Sequence, residues 1–91
     1  MQNVHVNGTD KGRVMLYALT TCGWCAKTKQ LLIDIGVAFD YLYVDKVGPD
    51  HQKAVIEGVE KYNPALSFPT VIIGETTIVG FKEDEIREAL A

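Results

Sequence analysis

The chain's only two cysteines stand three residues apart, as Cys22-Gly23-Trp24-Cys25, at the seam between an apolar run, Val14 to Leu19, and a helix-patterned segment, Ala26 to Ile35. That placement constrains the fold more than any other feature. Side chains three apart on a helix lie on neighbouring turns of one face, so the two sulfurs can reach disulfide distance. The first sulfur falls among the unpaired N–H groups of a helix N-terminus, where partial positive charge favours thiolate over thiol. Thiolate is the nucleophile of disulfide exchange. The motif therefore asks for a strand that delivers the pair and a helix that carries it.

The flanking sequence supplies both. Arg13 to Leu19 is almost continuously apolar, the pattern of a central strand covered on two faces. Thr28, Leu31, Leu32 and Ile35 recur at helical spacing, and Gly36 is placed to end the helix. Phe39, Tyr41 and Tyr43 alternate along an aromatic, β-favouring run, which predicts a second strand parallel to the first through a right-handed crossover. Gly48-Pro49-Asp50 reads as a loop with an N-cap, and a helix follows from about His51 to Tyr62 with Ala54, Val55, Val59 and Tyr62 inward. Asn63-Pro64 stops it. Val71-Ile72-Ile73, a Gly74-Glu75 turn and Thr77-Ile78-Val79 form an antiparallel hairpin, and Glu83 to Leu90 a surface helix with acids in its first turn. Residues 1–12 are expected to be a flexible lead-in or at most a short edge strand, without a chemical role.

The resulting order is β-α-β-α-β-β-α, an α/β fold with a central four-stranded mixed sheet flanked by three helices. A C-x-x-C beside a βαβ unit marks a thioredoxin-like redox domain. With 91 residues there is room for one domain, 1–91. A net charge of -3, with no basic cluster interleaved with aromatics, argues against nucleic acid and anionic membrane as partners. The chain has no apolar stretch of membrane-spanning length and no signal-like start, so a cytoplasmic location is expected. That compartment keeps ordinary thiols reduced, so a cysteine pair there reads as catalytic or redox-sensing. Two other uses of the cysteines stay open: buried inert thiols, and half of a tetrahedral zinc set completed by a second copy. No metal ligand set is assigned.

Several local matches, taken together, make the chain resemble the glutaredoxins from about Arg13 to Ala91. They are Tyr17 five residues before Cys22, the C-x-x-C, Thr28-Lys29, Val44-Asp45, Phe68-Pro69 before a β run, and Val79-Gly80-Phe81-Lys82. The resemblance implies a cis Phe68-Pro69 bond lying against the cysteines, leaving the Phe68 backbone free to pair with an extended substrate. Two positions depart from the glutathione-binding pattern: Leu19 replaces the common Lys, and Lys82 follows the Gly pair position where an acid is usual. Gly80-Phe81-Lys82 instead resembles the NrdH-redoxins, glutaredoxin-like electron donors that take electrons from thioredoxin reductase. Against that subgroup, the segment from Asp45 to Pro69 carries extra residues and Gly23-Trp24 is not its usual dipeptide.

The implied activity is dithiol thiol–disulfide oxidoreduction by a small electron carrier that acts on protein or low-molecular-weight disulfides. Cys22 is the expected nucleophile and Cys25 the resolver. Thr21, Gly23, Trp24, Phe68, Pro69, Gly80 and Phe81 are the expected substrate contacts. Thr20 and Thr21 are candidate N-cap or loop hydroxyls, and Lys27 or Lys29 a source of positive potential. The expected reductant is thioredoxin reductase or glutathione, the expected state a monomer, and no cofactor is required. A [2Fe–2S] cluster held between two protomers, with glutathione as further ligands, is the competing use of the same cysteines, and Gly23 makes the loop permissive enough for it.

Overall fold

The computed structural model describes residues 3–91; Met1 and Gln2 of the lead-in lie outside the described residues. In chain order the elements are β1 (Val4–Val6), β2 (Val14–Ala18), α1 (Gly23–Ile35), β3 (Phe39–Tyr43), a 3₁₀ turn (Val44–Lys46), α2 (Pro49–Tyr62), β4 (Thr70–Ile73), β5 (Thr76–Val79) and α3 (Glu83–Ala89). The strands form one sheet in the order β1-β3-β2-β4-β5. The β2/β3 pair is parallel and the other three pairs are antiparallel. This is the thioredoxin-like α/β fold with three helices.

The sheet has five strands where four are expected, because the lead-in pairs. Val4, His5 and Val6 lie antiparallel to Tyr41, Asp40 and Phe39. His5 Nδ1 also meets Asp40 Oδ1 at 2.5 Å across that pair. Further on, Thr9 N–H donates to Gly36 O at 2.8 Å and Ala38 N–H to Thr9 O at 2.9 Å. Gly8 makes this approach possible, since a Cβ there would fall 2.6 Å from the Gly36 oxygen. Of the two expectations for this segment, the short edge strand is the one formed, over three residues.

Alternation along β2 builds two cores. Val14, Leu16 and Ala18 face α1 and α3, where Leu31, Leu32, Ile86 and Leu90 join Phe39, Val71 and Ile78. Met15 faces α2 and packs with Leu42, Val44, Val55, Val59 and Ile72. A strand buried on both sides has no room for a polar run, which is why Val14 to Leu19 is unbroken.

Helix boundaries shift in two places. α1 starts at Gly23 rather than Cys25 or Ala26, with Cys22 as its N-cap, and ends on Gly36 at φ 82°. α2 starts at Pro49, capped by the Gly48 backbone rather than the Asp50 side chain. Pro at a first helical position loses only an N–H that has no helical partner anyway. Ala54 is exposed, not inward. Val55 and Val59 are buried four apart on one stripe, and a neighbour one residue away is turned well off that stripe.

Candidate active site

β2 ends at Ala18, and the loop through Thr20 and Thr21 brings Cys22 to the top of α1. The N-cap is the cysteine itself: its Sγ accepts the Cys25 N–H at 3.1 Å. Neither threonine caps the helix. Thr20 is bonded instead to Asp45, and Thr21 is exposed beside Cys22. A donor aimed at the sulfur and an open side suit Cys22 to bear negative charge and attack.

Cys25, one turn further on, is 1% exposed. Burial, and then the hydrogen bond with Cys22, push its thiol up from 9.0 to about 12. The two cysteines thus differ sharply: one is half-buried at a helix tip, the other sits in the α1-side core. Both are free thiols.

Opposite them lies the segment before β4. The Phe68-Pro69 peptide is cis, and the Phe68 carbonyl lies 4.0 Å from Cys22 Sγ, within reach of an S–H donor. Trp24, 58% exposed, stacks on Phe81 with ring centroids 5.7 Å apart. Lys27 Nζ sits 4.7 Å from the Trp24 ring centroid. Trp24, Phe68, Pro69, Gly80 and Phe81 line an open recess of about 280 Å³. Gly80, at φ 88°, gives its N–H to Pro69 O at 2.9 Å, so its role is to draw Phe81 in beside Pro69. Gly23 is exposed at the first position of α1.

The structure thus brings Trp24, Phe68, Pro69, Gly80 and Phe81 around one recess, with Cys22 beside Phe68 and Cys25 one turn further into the helix; Thr21 and Gly23 flank Cys22 in sequence, exposed, and do not line the recess. Leu19 is packed half-buried on the α2-side core and Lys82 pairs with Glu85 at 3.9 Å. Lys29 is committed to Tyr41, 4.1 Å from that ring centroid, and to the Tyr43 hydroxyl. Among the described residues no three His, Cys, Asp or Glu side chains converge as metal ligands.

Two residues with structural claims on the site carry no role in the sequence reading. Asp45 accepts Thr20 N–H and hydroxyl bonds. Asn63, 5% exposed, uses Nδ2 on Ser67 O at 2.9 Å and Thr70 Oγ1 at 3.0 Å, and its Oδ1 accepts Ala65 N–H at 3.2 Å. It organises the loop that carries Phe68 and Pro69. The Asn63-Pro64 dipeptide was a legible turn signal, but which carbonyls the side chain would satisfy was not.

A helix-tip dithiol facing a cis-proline segment on this fold defines a thioredoxin-fold dithiol protein. The sequence model of the glutaredoxin family matches residues 14–78, and the chain belongs to that family, whose members are thiol–disulfide oxidoreductases. They act on disulfide substrates with glutathione or thioredoxin-reductase-type reductants.

Among solved structures, the glutaredoxin of Methanosarcina mazei Go1 is 52% identical with a TM-score of 0.90, covering 100% of this chain and 89% of that one. Methanosarcina acetivorans methanoredoxin is 49% identical with a TM-score of 0.89, covering 92% and 90%. The glutaredoxin-like protein NrdH-redoxin of Escherichia coli is 27% identical with a TM-score of 0.65, covering 85% and 93%. No curated protein sequence matches the chain.

Proposed function

We propose that the chain is a dithiol electron carrier that reduces protein or low-molecular-weight disulfides through Cys22 and Cys25. The observation that carries this reading is the asymmetry of the pair. Cys22 is accessible, with an N–H aimed at its sulfur, while Cys25 is buried directly behind it.

Cys22 thiolate attacks one sulfur of the substrate disulfide, forming a mixed disulfide and releasing the other sulfur as a thiolate, which takes a proton from water. Cys25 then gives up its proton and attacks the Cys22 sulfur, releasing the second substrate thiol. The substrate gains two electrons and two protons. The Cys22–Cys25 disulfide keeps the deficit until a reductant returns them.

The recess lined by Trp24, Phe68, Pro69, Gly80 and Phe81 receives the residues flanking the substrate cysteine, and the exposed Thr21 and Gly23 on either side of Cys22 meet the substrate next to the reacting sulfur. Its lining is apolar. Leu19 offers no cation, and Lys82 presents no acid, to the charged ends of glutathione. A flavoenzyme of the thioredoxin reductase class is therefore the assigned reductant, in keeping with the thioredoxin-like activity profile of NrdH-redoxin. We place the carrier, as a monomer, in the cytoplasm, where a donor thiol pair stays reduced.

The test is NADPH-coupled disulfide reduction with thioredoxin reductase, run beside glutathione plus glutathione reductase. The first is expected to turn over faster. A clear preference for glutathione would overturn the reading of Leu19 and Lys82, and brown colour after anaerobic iron–sulfur reconstitution would promote the cluster-binding reading.

A further inference from the structure

Parallel strands β2 and β3 end at the same edge of the sheet, and their register pairs Ala18 with Tyr43. Two residues further along each segment stand Thr20 and Asp45, and they meet. Thr20 N–H donates to Asp45 Oδ1 at 3.1 Å and Oδ2 at 3.3 Å. The Thr20 hydroxyl donates to Oδ2 at 2.5 Å. Bonds to an ionised acceptor are the short, strong kind, and three contacts converge here on one carboxylate.

The loop they hold carries one cysteine and acts on the other. It ends in Cys22, whose N–H bonds back to Leu19 O at 3.3 Å. At its other end, the polar Leu19 backbone acts on the Cys25 thiol, lowering it against the larger rise that burial imposes. Thr20 lies between Leu19 and Cys22, and Asp45 fastens it from the 3₁₀ turn that follows β3. A shift at Thr20 therefore displaces the attacking and the resolving sulfur relative to each other.

We propose that Asp45 is a positioning residue for the thiol–disulfide reaction, fixing through Thr20 the loop that sets the distance and angle between Cys22 and Cys25. The proposal rests on the reading that these two cysteines are the nucleophile and resolver. The Asp45 carboxyl is held below its ordinary range, chiefly by the Thr20 hydroxyl, which agrees with a bond made to the charged form. Resolution is the step most exposed to such a shift, since one sulfur must approach the other in line, and a misplacement of about 1 Å can cost on the order of a hundredfold.

The competing view is a solvent-exposed capping contact that affects stability alone. The experiment separates the two by following the lifetime of the mixed disulfide. Reduced protein is mixed with an aromatic disulfide under single-turnover conditions, and the adduct is followed by mass spectrometry for wild type, Thr20→Val, Thr20→Ser, Asp45→Ala and Cys22→Ser. Thr20→Val keeps the N–H bonds and Thr20→Ser keeps the hydroxyl.

The adduct on Thr20→Val and Asp45→Ala is expected to persist about tenfold longer than on wild type, and Thr20→Ser to restore the wild-type lifetime. Lifetimes for Thr20→Val and Asp45→Ala within about twofold of wild type, in proteins whose circular dichroism shows them folded, would overturn the proposal. So would Thr20→Ser behaving like Thr20→Val. Cys22→Ser is expected to form no adduct; an adduct there would instead overturn the assignment of the nucleophile.

Discussion

The backbone N–H of Cys25 is aimed at the sulfur of Cys22 across 3.1 Å, so the resolving residue also solvates the nucleophile's charge. Replacing the Cys25 side chain leaves that N–H in place. Cys25→Ser should therefore attack disulfides at close to the wild-type rate and then stall, accumulating a mixed disulfide through Cys22. Cys22→Ser should lose turnover entirely. Stopped-flow thiol release combined with mass spectrometry checks both, and rapid release of both substrate thiols by Cys25→Ser would contradict the division of roles.

Burial and the Cys22 hydrogen bond make the Cys25 thiol a weak acid, pushed up to about 12 from 9.0. Its pKa is raised in the folded state, so above about 9 the unfolded chain releases this proton while the folded chain keeps it. Stability from this group is intact below that value and declines as pH rises toward about 12. Tyr17, raised by its own burial, adds a decline in the same sense. Cys25→Ala isolates the cysteine contribution: its urea-unfolding midpoint should fall less steeply than that of reduced wild type between about pH 8 and about pH 11. Parallel curves would show that Cys25 keeps no such proton.

Trp24 is the chain's sole tryptophan, and its stack on Phe81 at 5.7 Å forms one wall of the recess. Aromatic pairs of this kind contribute about 1 kcal/mol beyond burial, so Phe81→Ala should raise KM for a protein disulfide about fivefold. Because neither ring hydrogen-bonds the reacting sulfurs, kcat should hold. Trp24 emission should shift in the same variant. A fall in kcat with KM unchanged would move Phe81 from substrate contact to positioning.

Much of the fold was legible because periodicity is strong where burial is one-sided or complete. The unbroken apolar run of β2, the helical spacing of Leu31, Leu32 and Ile35, and the hairpin around Gly74 each follow from their patterns. β1 reads in sequence as either a flexible lead-in or a short edge strand because its stabilisation is non-local: Val4 to Val6 gain partners only once Phe39 to Tyr41 are in place. The site divides along the same line. Cys22 and Cys25 stand three apart in sequence and announce themselves, and family resemblance supplied Phe68, Pro69, Gly80 and Phe81. Thr20 and Asp45 are 25 positions apart, and their meeting depends on a strand register no local signal encodes.

Asn63 is where loop chemistry and site geometry converge most closely. Its side chain is buried at 5% exposure and every polar atom of it is used, with Nδ2 reaching Ser67 O and Thr70 Oγ1 and Oδ1 receiving Ala65 N–H. Asn63→Ala leaves the Ala65 donor without this acceptor and the Ser67 carbonyl with the Thr70 hydroxyl alone, which donates to it at 2.8 Å. The expected cost is about 2 kcal/mol of stability. Asn63→Asp should cost more than Ala despite its similar shape, because a carboxylate accepts only and would face the Ser67 carbonyl in a buried position. The loop that loosens carries Phe68, whose carbonyl lies 4.0 Å from Cys22 Sγ. Both variants should accordingly slow reaction with a disulfide-bearing protein, which spans the Phe68-Pro69 segment, more than with a small aromatic disulfide, which needs only the sulfur. Urea unfolding and the two rate ratios test this together, and equal slowing toward both substrates would confine Asn63 to a purely structural role.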